Sequence, residues 1–426
     1  MAAPTPTLSN RPAAGTSSGT SQRYTSALSA VTTLFFLWGF ITCLNDILIP
    51  YLKAIFQLSF AQANLINLCF FGAYFLMSIP AGKLVSRVGY KKGMLIGFVV
   101  AAIGAFLFYP AAAQRVYGLF LGALFVLASG ITILQVAANP YVAILGPPES
   151  ASSRLTLTQA FNSLGTTLAP LLGSALILSR LPALDNATTA AGIDISAVQI
   201  PYLIIGASLL FISLILSRIN LPVIEYAANE AEATEEQHSS AWQYRHLMLG
   251  VVGIFAYVGA EVAIGSHIVS YVALPDVLGL DPKTAGDQVT YYWGAAMVGR
   301  FAGAYLLNKF APTKLLAFNA IGAVILVLIS INTSGAVAMW SLLAVGLMNS
   351  LMYPTIFTLA VAGLGRHTEQ ASGLLCTAIV GGALVPMLFG FIADNSGLRI
   401  ALLLPIVCYL YVMWYGLRGS SRSATA

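Results

Sequence analysis

The sequence predicts an all-α membrane protein of 12 transmembrane helices, arranged as two pseudo-symmetric six-helix halves. Three observations carry that expectation. The 426 residues are 58% hydrophobic and only 8% charged, with a mean hydropathy of +0.83. Twelve separate apolar stretches each approach or exceed the length of a membrane span. The longest polar connection falls between the sixth and the seventh of them.

A soluble domain usually carries about 25% charged residues. A chain this poor in charge is solvated by lipid rather than by water. A transmembrane helix needs roughly 20 mainly apolar residues. Stretches of that kind occupy 26–54, 60–82, 92–112, 117–145, 154–179, 200–220, 246–273, 286–308, 314–333, 337–363, 369–393 and 398–418. The chain therefore divides into a disordered cytoplasmic tail (1–24), an N-terminal half (25–220), an acidic cytoplasmic linker (221–245), a C-terminal half (246–418) and a short tail (419–426). The opening residues lack the charged-then-apolar order of a cleaved signal peptide. A polar loop is expected over 180–199.

The net charge of +5 is modest, and no basic run interleaved with aromatics suggests nucleic acid. The cysteines at 43, 69, 376 and 408 lie inside apolar stretches, without metal-ligand spacing. They read as small core residues. Lys and Arg collect in cytoplasmic loops. With the N-terminus inside, 15 of the 20 Lys and Arg fall on the cytoplasmic side and five outside. Both termini are then cytoplasmic.

The halves repeat one another weakly. Phe70-Phe71-Gly72-Ala73 leads to Gly82 and a basic turn; Tyr292-Trp293-Gly294-Ala295 leads to Gly303 and another. Asn139-Pro140-Tyr141 is echoed by Tyr353-Pro354-Thr355, and Leu168-Ala169-Pro170 by Leu384-Val385-Pro386. Paired halves with helix breakers at matching places point to a secondary transporter, its site at the interface of the repeats. Chance resemblance between Gly-rich apolar stretches is the competing reading.

Thirteen of the 15 carboxylates lie in loops, tails or helix ends. Asp46 and Glu261 lie within the first and seventh apolar stretches. A charge at mid-bilayer costs about 2.5–3.5 kcal/mol or more on insertion scales, so such residues face the bundle interior and mark solute or ion pathways. An acid whose solvation changes as the halves rock can load a proton on one side and release it on the other. A carboxylate can equally hold Na⁺, or be kept for packing alone.

Neutral polar residues form stripes at helical spacing: Thr132, Gln135 and Asn139; Gln159, Asn162 and Thr166; Asn64, Asn67 and Tyr74; Asn349 and Tyr353. Amides donate and accept together, which suits a polyhydroxylated ligand. Trp38, Tyr257 and Trp293 could stack on a sugar's apolar face. Interhelical bonding explains each stripe equally well. The four histidines carry no assignment. No phosphate-binding loop, nucleophile elbow or metal-spaced cluster occurs, which disfavours an ATP-driven pump, an enzyme or a metal site.

The run Gly82-Lys83-Leu84-Val85-Ser86-Arg87-Val88-Gly89-Tyr90-Lys91-Lys92 resembles the loop motif between helices two and three of the major facilitator superfamily, with Ser86 where that motif usually has Asp. More specific are the run Phe35 to Pro50 containing Trp38, Asn45 and Asp46, then Ala137-Ala138-Asn139-Pro140, Leu157-Thr158-Gln159-Ala160-Phe161-Asn162-Ser163, and Tyr353-Pro354-Thr355-Ile356-Phe357. Together they resemble the fucose–galactose–proton symporter family, and within it the bacterial glucose/galactose transporter branch. The similarity runs from about 25 to 418.

The resemblance implies a rocker-switch carrier in a bacterial inner membrane. In the family's L-fucose permease the acid matching Asp46 is a protonation site. The positions matching Gln159, Asn162 and Tyr353 lie in its central cavity. Its second functional acid is replaced here by Gln135, while Glu261 stands where it has glutamine. Related sugar carriers include Na⁺-dependent ones.

The expectation is uptake of a hexose, glucose or galactose first, by cation symport with H⁺ favoured over Na⁺ and no cofactor. Asp46 and Glu261 are the expected coupling residues. Gln135, Asn139, Gln159, Asn162, Asn349 and Tyr353 are expected sugar contacts. Gly82, Arg87, Gly89, Lys91 and Arg300 are expected gates near the cytoplasmic face. The expected partners are a monosaccharide and membrane lipids, the protein acting as a monomer. Alternatives are the same machine carrying N-acetylglucosamine or L-fucose, or a non-transporting sugar receptor.

Overall fold

The computed structural model describes residues 25–40, 60–114, 116–176, 196–222 and 240–421. Among the described residues there is no strand. The helices are α1 (Thr25–Phe40), α2 (Phe60–Val88), α3 (Tyr90–Gln114), α4 (Tyr117–Ile144), α5 (Ala151–Leu176), α6 (Ser196–Arg218), α7 (Arg245–Val272), α8 (Pro282–Leu306), α9 (Pro312–Asn332), α10 (Gly335–Val361), α11 (Gly365–Ser396) and α12 (Leu398–Gly419). Nine helical stretches among the described residues are long and apolar enough to cross a membrane. The exceptions are α1, α5 and α8. The first is described only to Phe40. The other two carry many polar side chains and pack on each other across the two halves. They line a protein interface rather than lipid, so they can be less apolar.

Within the N-terminal half, α4 packs on α2 and α3, and α3 on α6; within the C-terminal half, α7 packs on α11 and α12, and α10 on α8 and α9. Glycines set how closely α3 and α4 approach. A Cβ on Gly104 would sit 2.3 Å from the Leu127 nitrogen, and one on Gly130 would sit 2.2 Å from the Ala101 nitrogen. Both are closer than real Cβ contacts, so only glycine permits this backbone crossing. Large apolar side chains are exposed on the outer faces of many helices. That surface matches a lipid solvent rather than water.

Contacts between helix ends define one end of the bundle. Lys91 Nζ, at the start of α3, donates to the Ser217 carbonyl at the end of α6 (3.0 Å). Arg154, at the start of α5, donates to the Ala143 carbonyl at the end of α4 (2.7 Å). The Tyr415 hydroxyl, at the end of α12, donates to the His246 carbonyl at the start of α7 (3.2 Å). This is the basic end. At the opposite end Arg399 pairs with Asp276 (2.8 Å) inside the C-terminal half.

Three boundaries differ from the sequence reading. The expected basic turn at 82–92 is mostly helix. The helix α2 continues through Lys83 to Val88, its polar face turned outward, and only Gly89 breaks it. Gly89 has φ +82°, a conformation costly for other residues, and α3 starts at Tyr90. The helix α6 begins at Ser196, inside the expected loop 180–199. Arg300, counted among the inside cations, is a membrane-helix residue that reaches into the bundle. Residues 1–24, most of the linker 221–245, and residues 422–426 of the terminal tail lie outside the described residues, as do Asp46 and Cys43. Cys69, Cys376 and Cys408 are free thiols.

Candidate functional site at the seam between the halves

The stripes on α4 and α5 meet α10 of the other half. Gln135 and Asn139 are four residues apart and so share a face of α4. Asn139 is fully buried. Its Nδ2 donates to the Tyr353 hydroxyl (3.2 Å), and its Oδ1 accepts from Gln159 Nε2 (3.4 Å). An amide and a phenol from the N-terminal and C-terminal halves thus share one chain of polar groups. Gln135 Nε2 donates to the Tyr74 hydroxyl on α2 (2.6 Å). Asn162 Nδ2 donates to the Phe35 carbonyl on α1 (2.9 Å). The first group crosses between halves; Gln135 and Asn162 bond within the N-terminal half. Of the aromatics considered for stacking, Trp38 is buried against Phe35 and Trp293 is largely exposed.

The two repeated prolines explain how the seam closes. A proline lacks an N–H and frees the carbonyl four residues before it. Pro140 frees the carbonyl of Val136. The Ser372 hydroxyl, on α11 of the other half, donates to it at 2.9 Å, fully buried. Pro354 frees the carbonyl of Ser350, where α10 is interrupted before Met352. Arg300 Nε donates to that carbonyl (3.3 Å), and Arg300 Nη1 donates to the Ser163 hydroxyl on α5. Each repeat thus exposes one backbone acceptor, and each acceptor takes a donor that belongs to, or bridges to, the facing element. The seam continues toward the basic end. The Ser152 and Thr358 hydroxyls lie 2.6 Å apart, and the Ser153 hydroxyl donates to the Ala304 carbonyl (2.7 Å). Gly82 belongs here too, because a Cβ on it would lie 2.9 Å from the Glu369 carbonyl. Arg87 is exposed, and Lys91 ties α3 to α6 within one half. Ser86, at the departure from the motif, bonds only back to the Lys83 carbonyl (2.9 Å).

Glu261 lies within α7, buried at 9% exposure. Arg300 Nη2 is 3.9 Å from its Oε1, a loose ion pair rather than a hydrogen bond. Tyr257 of its own helix, Tyr292 of α8 and Tyr409 of α12 crowd around it. The Tyr292 hydroxyl donates to the Glu261 carbonyl (3.1 Å), and Asn349 Nδ2 donates to Tyr292 (2.7 Å). The Tyr257 hydroxyl donates to the Asn349 carbonyl (3.0 Å). Glu261 Oε1 and Asn349 Oδ1 are buried acceptors without a hydrogen-bond partner among the described residues, and the Tyr409 hydroxyl, able to donate, is buried unpaired as well. Unmet acceptor capacity at a buried carboxylate is costly, and protonating Glu261 removes its charge. Asn349, expected to touch sugar, bonds inside this knot with no exposed surface.

Tyr409, Ser372 and Ser350 are not singled out by sequence, and Tyr292 is legible there only as part of a repeat. The proline signal finds the two acceptors, because counting four residues back from Pro140 and Pro354 gives the Val136 and Ser350 carbonyls; it does not find the Ser372 donor.

A family model described as Major Facilitator Superfamily matches residues 28–379. The chain is 56% identical over 405 residues to the glucose/galactose transporter of Brucella abortus (strain 9-941), covering 95% of this chain and 97% of the relative. It is 36% identical over 422 residues to the L-fucose-proton symporter of Escherichia coli (strain K12), with 96% of each covered. Its fold superposes on a major facilitator superfamily transporter, FucP, solved in the outward conformation. The TM-score is 0.86 at 34% identity, covering 94% of this chain and 100% of that one.

Proposed function

The chain belongs to the major facilitator superfamily, and from that premise we propose that it takes up a hexose by proton symport, with glucose or galactose first. The observation that carries the reading is the polar chain Gln159–Asn139–Tyr353, which joins both halves of the bundle. Hydroxyl-rich ligands need such paired donors and acceptors, and a relative at 56% identity is named for glucose and galactose. Proton coupling is favoured over Na⁺ because the matching symporter is a proton symporter. No enzymatic step is proposed.

The basic end faces the cytoplasm of a bacterial cell, with both termini inside and the protein monomeric in the inner membrane. Hydrogen bonds between the halves run from that end to mid-bundle, which fits a carrier closed to the cytoplasm. Asp46 and Glu261 serve as the coupling acids, and Asn139, Gln159 and Tyr353 contact the sugar with Gln135 and Asn162 beside them. Gly82 and Arg300 act in the gate; Arg87, Gly89 and Lys91 fix the α2–α3 corner behind it. The test is labelled-sugar accumulation in proteoliposomes under a pH gradient or a Na⁺ gradient applied separately. Accumulation is expected with the pH gradient; binding without accumulation would favour a receptor.

Ser372→Ala should shift the carrier toward the state open at the basic end. Without the serine, the Val136 carbonyl is buried without a donor in the closed state, a cost of about 1 kcal/mol or roughly fivefold in population. Spin labels at the exposed positions Lys92 and Lys314 would report the separation of the halves. An unchanged distance distribution would count against the serine as a latch.

A further inference from the structure

A pocket of about 220 Å³ lies at the basic end between α7 and α12, lined by Arg245, Leu249, Trp414, Arg418, Gly419 and Ser421. Its lining belongs wholly to the C-terminal half. We propose that it binds the phosphodiester headgroup of an anionic phospholipid.

Four observations converge on that ligand. The guanidiniums of Arg245 and Arg418 flank the pocket, both residues are exposed, and neither guanidinium makes an ion pair or hydrogen bond among the described residues; the Arg418 carbonyl takes the Ser421 hydroxyl (2.6 Å). Two guanidiniums present the fork geometry that phosphate oxygens accept. The pocket walls are pinned. The Tyr411 hydroxyl donates to the Leu249 carbonyl (3.0 Å), and the Tyr415 hydroxyl donates to the His246 carbonyl. The α7 and α12 ends therefore hold their spacing without a ligand.

The third observation is depth. Arg245 opens α7 and Arg418 lies in the last turn of α12, so both sit at the ends of candidate spans. Trp414, 36% exposed, lies one turn earlier, where aromatic side chains mark the membrane–water boundary. The fourth is a path for acyl chains. Leu403, Val407, Leu410, Trp414 and Leu417 are all exposed and recur every three or four residues, forming one apolar stripe on α12 that ends at the pocket. A soluble phosphate would use the two arginines but not the stripe; a phospholipid uses both. Basic pockets between transmembrane helices at the membrane surface commonly hold anionic headgroups.

The test is native mass spectrometry of the full chain, released from detergent with phosphatidylglycerol or phosphatidylethanolamine added in turn. Phosphatidylglycerol should be retained preferentially. At roughly fivefold per arginine, the variant R245Q/R418Q should lose about thirtyfold in affinity for it. The variant R245K/R418K, which keeps the charge but not the fork, should bind between the parent and R245Q/R418Q, and the melting temperature of each lipid-free variant should match the parent. Equal retention of the two lipids, or equal retention of phosphatidylglycerol by R245Q/R418Q, overturns the proposal. Displacement of the lipid by millimolar inorganic phosphate would instead assign the pocket to a soluble anion. Lipid retention seen only after Glu225, Glu230, Glu232, Glu235 and Glu236 are changed to glutamine would assign it to the acidic linker.

Discussion

Arg300→Gln is expected to abolish uphill sugar accumulation and to lower the melting temperature of the solubilised protein, and adding Glu261→Gln is expected to restore part of the melting temperature but not the transport. Arg300 is the cation nearest the buried Glu261 carboxylate, at 3.9 Å. It also satisfies the Ser350 carbonyl freed by Pro354 and reaches Ser163 of the other half. Removing one member of a buried ion pair leaves the other charge uncompensated, at a cost of about 3–5 kcal/mol, whereas neutralising both is often close to neutral. The double variant therefore separates two roles that single variants mix. Stability follows the charge balance of the pair; transport follows the presence of a group that can gain and lose a proton. The check is a thermal unfolding series on the parent, R300Q, E261Q and the double variant, with uptake measured in parallel. A double variant no more stable than R300Q would show that Glu261 is not the carboxylate this arginine compensates.

Asp46→Asn should reduce concentrative uptake to simple equilibration, an internal-to-external ratio of about one, while preserving sugar exchange across the membrane. The reason is thermodynamic. A proton can drive the cycle only if its binding changes the relative stability of the two states. Asparagine keeps the size and much of the hydrogen bonding of aspartic acid but cannot titrate, so the sugar site survives and the link to the proton does not. Asp46 lies outside the described residues, so this expectation rests on its place in the first apolar stretch and on the resemblance of its surrounding motif. Counterflow of labelled sugar against unlabelled sugar in proteoliposomes, run beside gradient-driven uptake, distinguishes loss of coupling from loss of binding. Full concentrative uptake by the variant would remove Asp46 from the coupling role.

The helix pattern was legible in the sequence because lipid imposes a simple rule on span length and polarity. Residues 92–112 became Tyr90–Gln114, and 246–273 became Arg245–Val272. Where boundaries moved, a hydrophobicity reading had stopped at the last apolar residue. Lys83, Ser86 and Arg87 are polar yet helical, because the α2 backbone continues until Gly89 adopts a positive φ. The amide stripes were legible as stripes, but their partners were not. Spacing places Gln135 and Asn139 on one face of α4, yet it cannot show that the first turns to Tyr74 and the second to Tyr353. Asn349 illustrates the limit: its place in a stripe matches a sugar contact, while its bonds tie it to Tyr292 inside one half. Arg300 shows the same limit for charge. Counted by sequence position it belongs with the inside cations, but its side chain reaches Glu261 on the neighbouring α7, 3.9 Å away.

If sugar and proton cross together, the direct measurement is the pH of a weakly buffered medium outside vesicles containing the protein when sugar is added without any imposed gradient. Glucose or galactose is expected to alkalinise the medium as protons enter with sugar, and the Asp46→Asn protein to give no such signal while still exchanging sugar. Sugar entry at the parent's rate with no change in external pH would contradict proton symport.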